Sequence, residues 1–133
     1  MLAFVLTSCT GSREQRVIGV INFYDDGTTN VLDVPDIVQA GQTFGVTIRT
    51  FGDDCTRVAD DQITTQGMTA TITVYDFIAK GGCTTQLNRP KHTVNLQFDS
   101  PGIAQIRVVG RRVGPETGDE EQLRTIKKSI TVE

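Results

Sequence analysis

Alternation of apolar and polar residues with a period of two is the feature that most constrains this chain. Side chains of a β-strand point alternately to opposite faces, so an alternating segment buries one face and exposes the other. In Met68–Tyr75, for example, three threonines alternate with apolar residues. The pattern predicts four strands, at 44–49, 68–75, 92–98 and 104–108.

Three further segments carry a weaker alternation and complete the predicted strands, at 16–24, 30–34 and 121–132. The last is imperfect, because Lys128 falls on the same face as Ile126 and Ile130. We expect either a β-bulge or snorkelling of the lysine at a sheet edge to accommodate this charge.

Turn sequences rich in Gly, Asp and Pro separate these segments. They are Asp25–Gly27, Ala40–Gln42, Gly81–Gly82, Asp99–Gly102 and Gly114–Asp119. In the fourth, Pro101 fits the first central position of a type II turn and Gly102 the second, which requires a positive φ. About seven short strands divided by such turns, with no helical periodicity, predict an all-β fold, an antiparallel β-sandwich.

Length and charge narrow the class of protein. The 133 residues fit one domain. The net charge of −3 argues against general nucleic-acid binding, which needs a basic surface. No stretch approaches the roughly 20 apolar residues of a membrane-spanning helix. We expect a monomer without a cofactor.

The N-terminus indicates export. An apolar run over Met1–Ser8 ends in small residues, and a polar segment follows Cys9. Leu6-Thr7-Ser8-Cys9 resembles the lipobox of bacterial lipoproteins, which implies a lipid on Cys9 and a membrane anchor. Because the apolar run is short and no basic region precedes it, we expect the true start to lie upstream. Residues 1–15 are then a signal remnant and tether, and 16–133 the folded domain; the alternative is an incidental cysteine.

The cysteine count agrees with this interpretation. Three cysteines in an exported chain leave one unpaired. A lipid on Cys9 leaves Cys55 and Cys83, both in loop-like sequence, for a disulfide. The alternative is a pair of reduced thiols in the cytosol. Their spacing fits neither a CxxC redox motif nor a zinc site.

Two segments carry a further resemblance. Val38–Ile48 resembles the "V-x-A-G" turn and following strand of immunoglobulin-like domains on bacterial surface proteins. Ser100–Val108 resembles the turn and strand that come late in those domains, and Ile130–Glu133 their final strand. The resemblance implies an immunoglobulin-like sandwich, a fold that hosts many functions.

Candidate catalytic and metal-binding residues are few. His92 is the only histidine and shares the parity of Val94 and Leu96, so we expect a partly buried or edge residue rather than a catalytic base. Paired acidic residues could offer calcium ligands, but none forms an EF-hand loop, and we expect no metal. The pairs are Asp25-Asp26, Asp53-Asp54 and Asp60-Asp61.

Basic residues cluster on the last two predicted strands. Arg107, Arg111 and Lys127 share an exposed face if those strands form a hairpin. This face is a candidate patch for lipid headgroups or another polyanion. The alternative is an ordinary solvated face whose lysines protect a sheet edge.

The sequence therefore predicts a non-catalytic, lipid-anchored binding or structural module of the cell envelope, facing the periplasm or the exterior. Two alternatives stay open. One is an accessory subunit of an envelope complex. The other is an extracytoplasmic hydrolase, which would need a deep pocket bearing His92, a carboxylate and a Ser or Thr.

Overall fold

The computed structural model describes residues 14–23, 30–79, 81–113 and 122–133. These residues form twelve strands and no helix. The strands are β1 (Glu14–Ile18), β2 (Val20–Phe23), β3 (Leu32–Asp33), β4 (Ile37–Val38), β5 (Phe44–Arg49), β6 (Thr56–Val58), β7 (Gln62–Gln66), β8 (Thr69–Thr73), β9 (Tyr75–Ala79), β10 (Lys91–Leu96), β11 (Gly102–Val113) and β12 (Gln122–Val132). The all-β class is confirmed. No helix in this part of the chain has the length and apolar character to cross a membrane.

The strands form three sheets. The largest has the order β4-β12-β11-β8-β7, and β2 also pairs with β11. The other two have the orders β10-β5-β3 and β1-β9-β6. The predicted antiparallel order holds only in part, because β2 and β8 both run parallel to β11, and β4 runs parallel to β12. The seven-stranded immunoglobulin-like arrangement is not confirmed.

One apolar core lies between the six-membered sheet and β10-β5-β3. Even-numbered side chains of β11, such as Ile106 and Val108, point inward, as do Val46 and Ile48 of β5. Each of these four side chains is fully buried. The alternation predicted for β5, β8, β10 and β11 is therefore confirmed, with each strand burying alternate residues.

At two points the chain passes directly from a strand of one sheet into a strand of another sheet. β1 continues into β2 across Gly19, and β8 continues into β9 across Val74. The Gly19 amide donates to the Val74 carbonyl at 2.9 Å, so the two crossing points are bonded to each other. A Cβ on Gly19 would lie 2.8 Å from Thr50 Cγ2 and 2.9 Å from Asp76 Oδ2, so only glycine fits there.

The structure shows the local geometry of two positions that the sequence analysis singled out, Gly102 and Lys128. Gly102 has φ of 139°, which is positive as predicted but larger than the roughly +80° of a type II turn, and it is already the first residue of β11. Lys128 points toward the core side of β12 but reaches out, where its Nζ lies 2.9 Å from Asp36 Oδ1 and donates to the Val34 carbonyl at 3.2 Å. The predicted snorkelling is therefore confirmed.

Candidate functional site

Four polar side chains meet in the interior, where β5 and β10 approach β9. Thr50 follows β5, Asp61 precedes β7, Asp76 lies in β9 and His92 lies in β10. Thr50 and His92 are fully buried and Asp76 is 1% exposed. We call these four residues the ionic cluster. Buried charges in proteins persist only when they are paired and hydrogen-bonded.

His92 lies between two carboxylates. Its Nδ1 is 2.8 Å from Asp61 Oδ1 and its Nε2 is 2.9 Å from Asp76 Oδ1. Ionised carboxylates only accept hydrogen bonds, so both ring nitrogens carry a proton and the ring is an imidazolium. The expectation of a partly buried or edge histidine is wrong, since His92 is fully enclosed; its inward parity is as predicted.

The two carboxylates also set the pKa of His92. Burial lowers this pKa, but hydrogen bonds to Asp61 and Asp76 and the charges of both residues more than offset burial and raise it from 6.5 to about 9. The ring therefore keeps its charge at neutral pH. A general base needs an unprotonated nitrogen near its substrate, and this imidazole offers none.

Thr50 completes the cluster through its hydroxyl group. Its hydroxyl donates to Asp76 Oδ2 at 2.6 Å and lies 3.5 Å from His92 Nε2. In a nucleophile–base pair the hydroxyl donates to the imidazole instead. The structure thus brings together the residue types that the hydrolase alternative required, in a geometry suited to bracing the interior.

A disulfide lies close to this cluster along the chain. Cys55 and Cys83 are bonded, with a Cα–Cα distance of 5.6 Å, as predicted. Beside it, Asp54 accepts hydrogen bonds from the Thr84 amide at 2.8 Å and the Thr84 hydroxyl at 2.9 Å. The Asn88 side chain donates to the Thr56 carbonyl at 2.9 Å. These bonds fasten the segment 81–90, which we call the stapled loop, onto the chain after β5.

The stapled loop forms one wall of a cleft of about 380 Å³. Pockets that bind small molecules measure about 300–1,000 Å³ and are mostly apolar. The apolar lining consists of Val17, Val20, Phe51, Ile78, Leu87 and Val113. Leu87 is 57% exposed although it is a large apolar side chain. Asp76 also lines the cleft, so the ionic cluster lies directly beneath it.

The predicted basic patch divides into two parts. Arg107 of β11 lies directly opposite Lys127 of β12, and both point away from the core, as predicted. Arg111 has the same parity but is half-buried and lines the cleft, where its Nε donates to the Ile18 carbonyl at 2.5 Å. Arg107 and Lys127 therefore form a surface pair, whereas Arg111 belongs to the cleft.

Three of the paired aspartates, Asp53, Asp54 and Asp61, accept hydrogen bonds from the chain itself. Asp53 Oδ1 accepts from the Cys55 amide at 2.9 Å and the Thr56 hydroxyl at 3.1 Å. Asp53 and Asp54 lie near both sulfurs of the disulfide, but sulfurs that are joined to each other are not thiolate ligands. Asp61 belongs to the ionic cluster. Asp25, Asp26 and Cys9 lie outside the described residues.

Sequence reasoning missed the carboxylate partners of His92 and the cleft. The parity of His92 with apolar residues was the available signal, since a buried histidine needs polar partners. Nothing in the sequence selects Asp61 and Asp76 among the acidic residues, because they lie 31 and 16 positions away from His92. A search of protein families, of curated proteins and of solved structures finds no match for this chain.

Proposed function

We propose that the chain is a non-catalytic binding module that works outside the cytoplasm and is held at a membrane by a lipid on Cys9. One observation carries the proposal: the Cys55–Cys83 disulfide fastens a wall of the apolar cleft. A binding surface that depends on an oxidised cysteine pair is suited to an oxidising compartment. The lipobox-like sequence before Cys9 supports the same location.

The ionic cluster supports a binding role rather than catalysis. Its imidazolium is enclosed and donates to carboxylates on both sides, so it has no free nitrogen for proton transfer. Its position under the cleft suits a rigid floor, because it joins β9 and β10 with the segments that follow β5 and precede β7. Preorganised pockets lose less entropy on binding.

The facing sheets also support the immunoglobulin-like classification as part of this proposal. Two sheets that share one core are the basis of that sandwich. The parallel pair of β8 with β11 departs from its antiparallel order.

The test concerns the stapled loop. Anilinonaphthalene sulfonate, a fluorescent apolar anion, should bind the oxidised protein and lose about tenfold or more in affinity when Cys55 and Cys83 are both replaced by Ser. Circular dichroism should show that the variant keeps its β-structure. A folded, disulfide-free variant that binds the dye as well as the original would overturn the proposal.

The anchor is tested separately. Membrane-extracted protein, expressed from its natural gene start, should carry a diacylglyceryl mass adduct at Cys9, and Cys9→Ala should release it to the soluble fraction. An unmodified soluble product would remove the anchor from the proposal. The binding function would then be judged by the dye experiment alone.

Arg107 and Lys127 favour a second candidate function, contact with anionic lipid headgroups. Like charges directly opposite on adjacent strands destabilise a sheet, and neither residue has a carboxylate partner within the described part of the chain. An anionic membrane would supply the missing partner. Replacing both residues by Gln should abolish sedimentation with phosphatidylglycerol vesicles, whereas Lys91→Gln, on the opposite sheet, should not. Equal sedimentation of both variants would contradict this function.

A further inference from the structure

We infer that the cleft takes an amphipathic anion: an apolar chain or ring with one carboxylate or phosphate group. This inference rests on the proposed binding function and specifies its ligand. The apolar walls select the body of the ligand, and Arg111 selects its head.

Arg111 is fixed in place but keeps binding capacity. Its backbone amide donates to the Gly19 carbonyl at 2.7 Å, and its Nε donates to the Ile18 carbonyl at 2.5 Å. Its two terminal nitrogens have no hydrogen-bond or ion-pair partner among the described residues. A guanidinium held at one edge presents its remaining donors as a planar fork, the geometry that matches carboxylate and phosphate.

The acidic groups of the cleft are already engaged. Asp76 holds His92 through Oδ1 and Thr50 through Oδ2. Asp53 uses Oδ1 to accept two hydrogen bonds of its own loop. A cationic ligand at Asp76 would compete with these internal bonds, and anywhere in the cleft it would approach Arg111 against its charge. The cleft therefore favours an anion.

Leu87 offers an exposed apolar surface to the apolar part of the ligand. Leu87 is exposed, although the loop that carries it is fastened on both sides, at Cys83 and at Asn88. Covering such a side chain removes apolar surface from water and stabilises the complex. Leu87 and Arg111 thus supply the two halves of an amphipathic site.

The experiment displaces anilinonaphthalene sulfonate from the full-length protein with four probes whose alkyl chains have nine carbons (decanoate) or ten carbons (decyl phosphate, decanol and decyltrimethylammonium). We expect decanoate or decyl phosphate to compete about tenfold or more better than decanol, because a hydrogen bond to a charged group contributes that much. The cation should compete least. Whichever of the two anions competes better shows whether the head group that the cleft prefers is a carboxylate or a phosphate.

Matched variants assign the effect to residues. Arg111→Gln should remove the advantage of the anion over decanol, while Arg107→Gln, on the same strand and face, should keep it. Leu87→Asp should weaken all four probes, while Leu123→Asp should not; the two leucines are 57% and 58% exposed. If Arg111→Gln unfolds the protein, Arg111→Lys retains the charge and should retain part of the preference.

The outcomes separate this inference from the proposed function. If decanol competes as well as decanoate and Arg111→Gln changes neither, the ligand class is wrong and the apolar binding site stands. If no probe displaces the dye and Leu87→Asp leaves dye binding unchanged, the cleft is not a binding site. Both proposals are then overturned.

Discussion

Along the strand pair β5–β10, the inward side chains are apolar at one end and ionic at the other. Val94 faces Val46 across the two strands in the apolar end, while His92, two residues earlier, lies opposite Ile48 and next to Thr50 in the ionic end. All five side chains are buried, and the alternation is continuous through both ends. Side chains that are equally buried are therefore stabilised in two different ways, by apolar packing at one end and by charges and hydrogen bonds at the other.

The two ends should respond differently to substitution. Apolar packing loses stability in proportion to the volume removed, because neighbours relax only in part. A buried ion cluster is held by its mutual charges and hydrogen bonds, so removing one partner leaves buried donors of the others without an acceptor. The ionic end is also where the disulfide and the cleft lie, which makes its rigidity relevant to binding.

The largest effect is expected for Asp76→Ala. It removes one of two carboxylates from the imidazolium of His92 and the acceptor of the Thr50 hydroxyl, and should lower the free energy of unfolding by about 3–5 kcal/mol. Urea denaturation at pH 7 measures this loss. Ile106→Ala, in the apolar core contributed by β11, provides the comparison at about 2–5 kcal/mol. A loss below about 1 kcal/mol for Asp76→Ala would mean that Asp76 is not needed to stabilise the buried imidazolium.

Removal of the disulfide comes next. Cys55 and Cys83 are separated by 28 positions, and a loop of that length gives about 3–4 kcal/mol in the loop-entropy treatment. The double replacement by Ala should lower the free energy of unfolding by this amount in urea denaturation. Cys9→Ala is the control and should leave it unchanged. Equal stability with and without the bond would show that the remaining contacts of the stapled loop suffice.

The pH dependence of the free energy of unfolding distinguishes the ionic end of the strand pair from the apolar end. His92 has a pKa of about 9 in the folded state and 6.5 in its ordinary state, so the folded protein binds the extra proton between these values. Stability is full below pH 6.5 and falls as the pH rises through 9, by about 3 kcal/mol. Urea denaturation at a series of pH values measures the slope. His92→Gln should flatten it, whereas Ile106→Ala should retain it; a slope that persists in His92→Gln would assign it to another group.

The smallest effect concerns a glycine beside the ionic cluster. Gly19→Ala would place a Cβ 2.8 Å from Thr50 Cγ2 and 2.9 Å from Asp76 Oδ2, and should cost about 1–3 kcal/mol through overpacking. Gly45→Ala, on β5 with nothing within 4 Å, should change stability by less than about 1 kcal/mol. Thermal unfolding of the two variants tests this. Similar melting temperatures would indicate that the cluster yields to the added methyl group.

Strands with one buried face were the predictable part of the fold. β5 occupies the predicted residues 44–49, and β12 covers every described residue of the predicted strand 121–132. β7 was missed because all five of its residues are exposed, which leaves no alternation to detect. β4 and β6 were missed because strands of two or three residues are too short to show a period.

Individual residues of the candidate site could be predicted from the sequence, but their arrangement could not. Cysteine parity identified the disulfide, and strand parity placed Arg107 with Lys127 on one face. Parity also grouped Arg111 with that face, although its side chain lines the cleft. The division arises because β2 pairs with β11 near Arg111, and that contact joins distant parts of the chain.

The sequence alone determined the strand class of the chain, the inward parity of His92 and the pairing of Cys55 with Cys83. The first two follow from a local period of two, and the third from the count of cysteines once the resemblance of Leu6–Cys9 to a lipobox sets Cys9 aside. Tertiary structure decided the partners of His92, the parallel neighbours of β11 and the cleft beside Arg111. Those features join segments far apart in the chain, and no local period records which distant segments become neighbours when the sheets close over a common core.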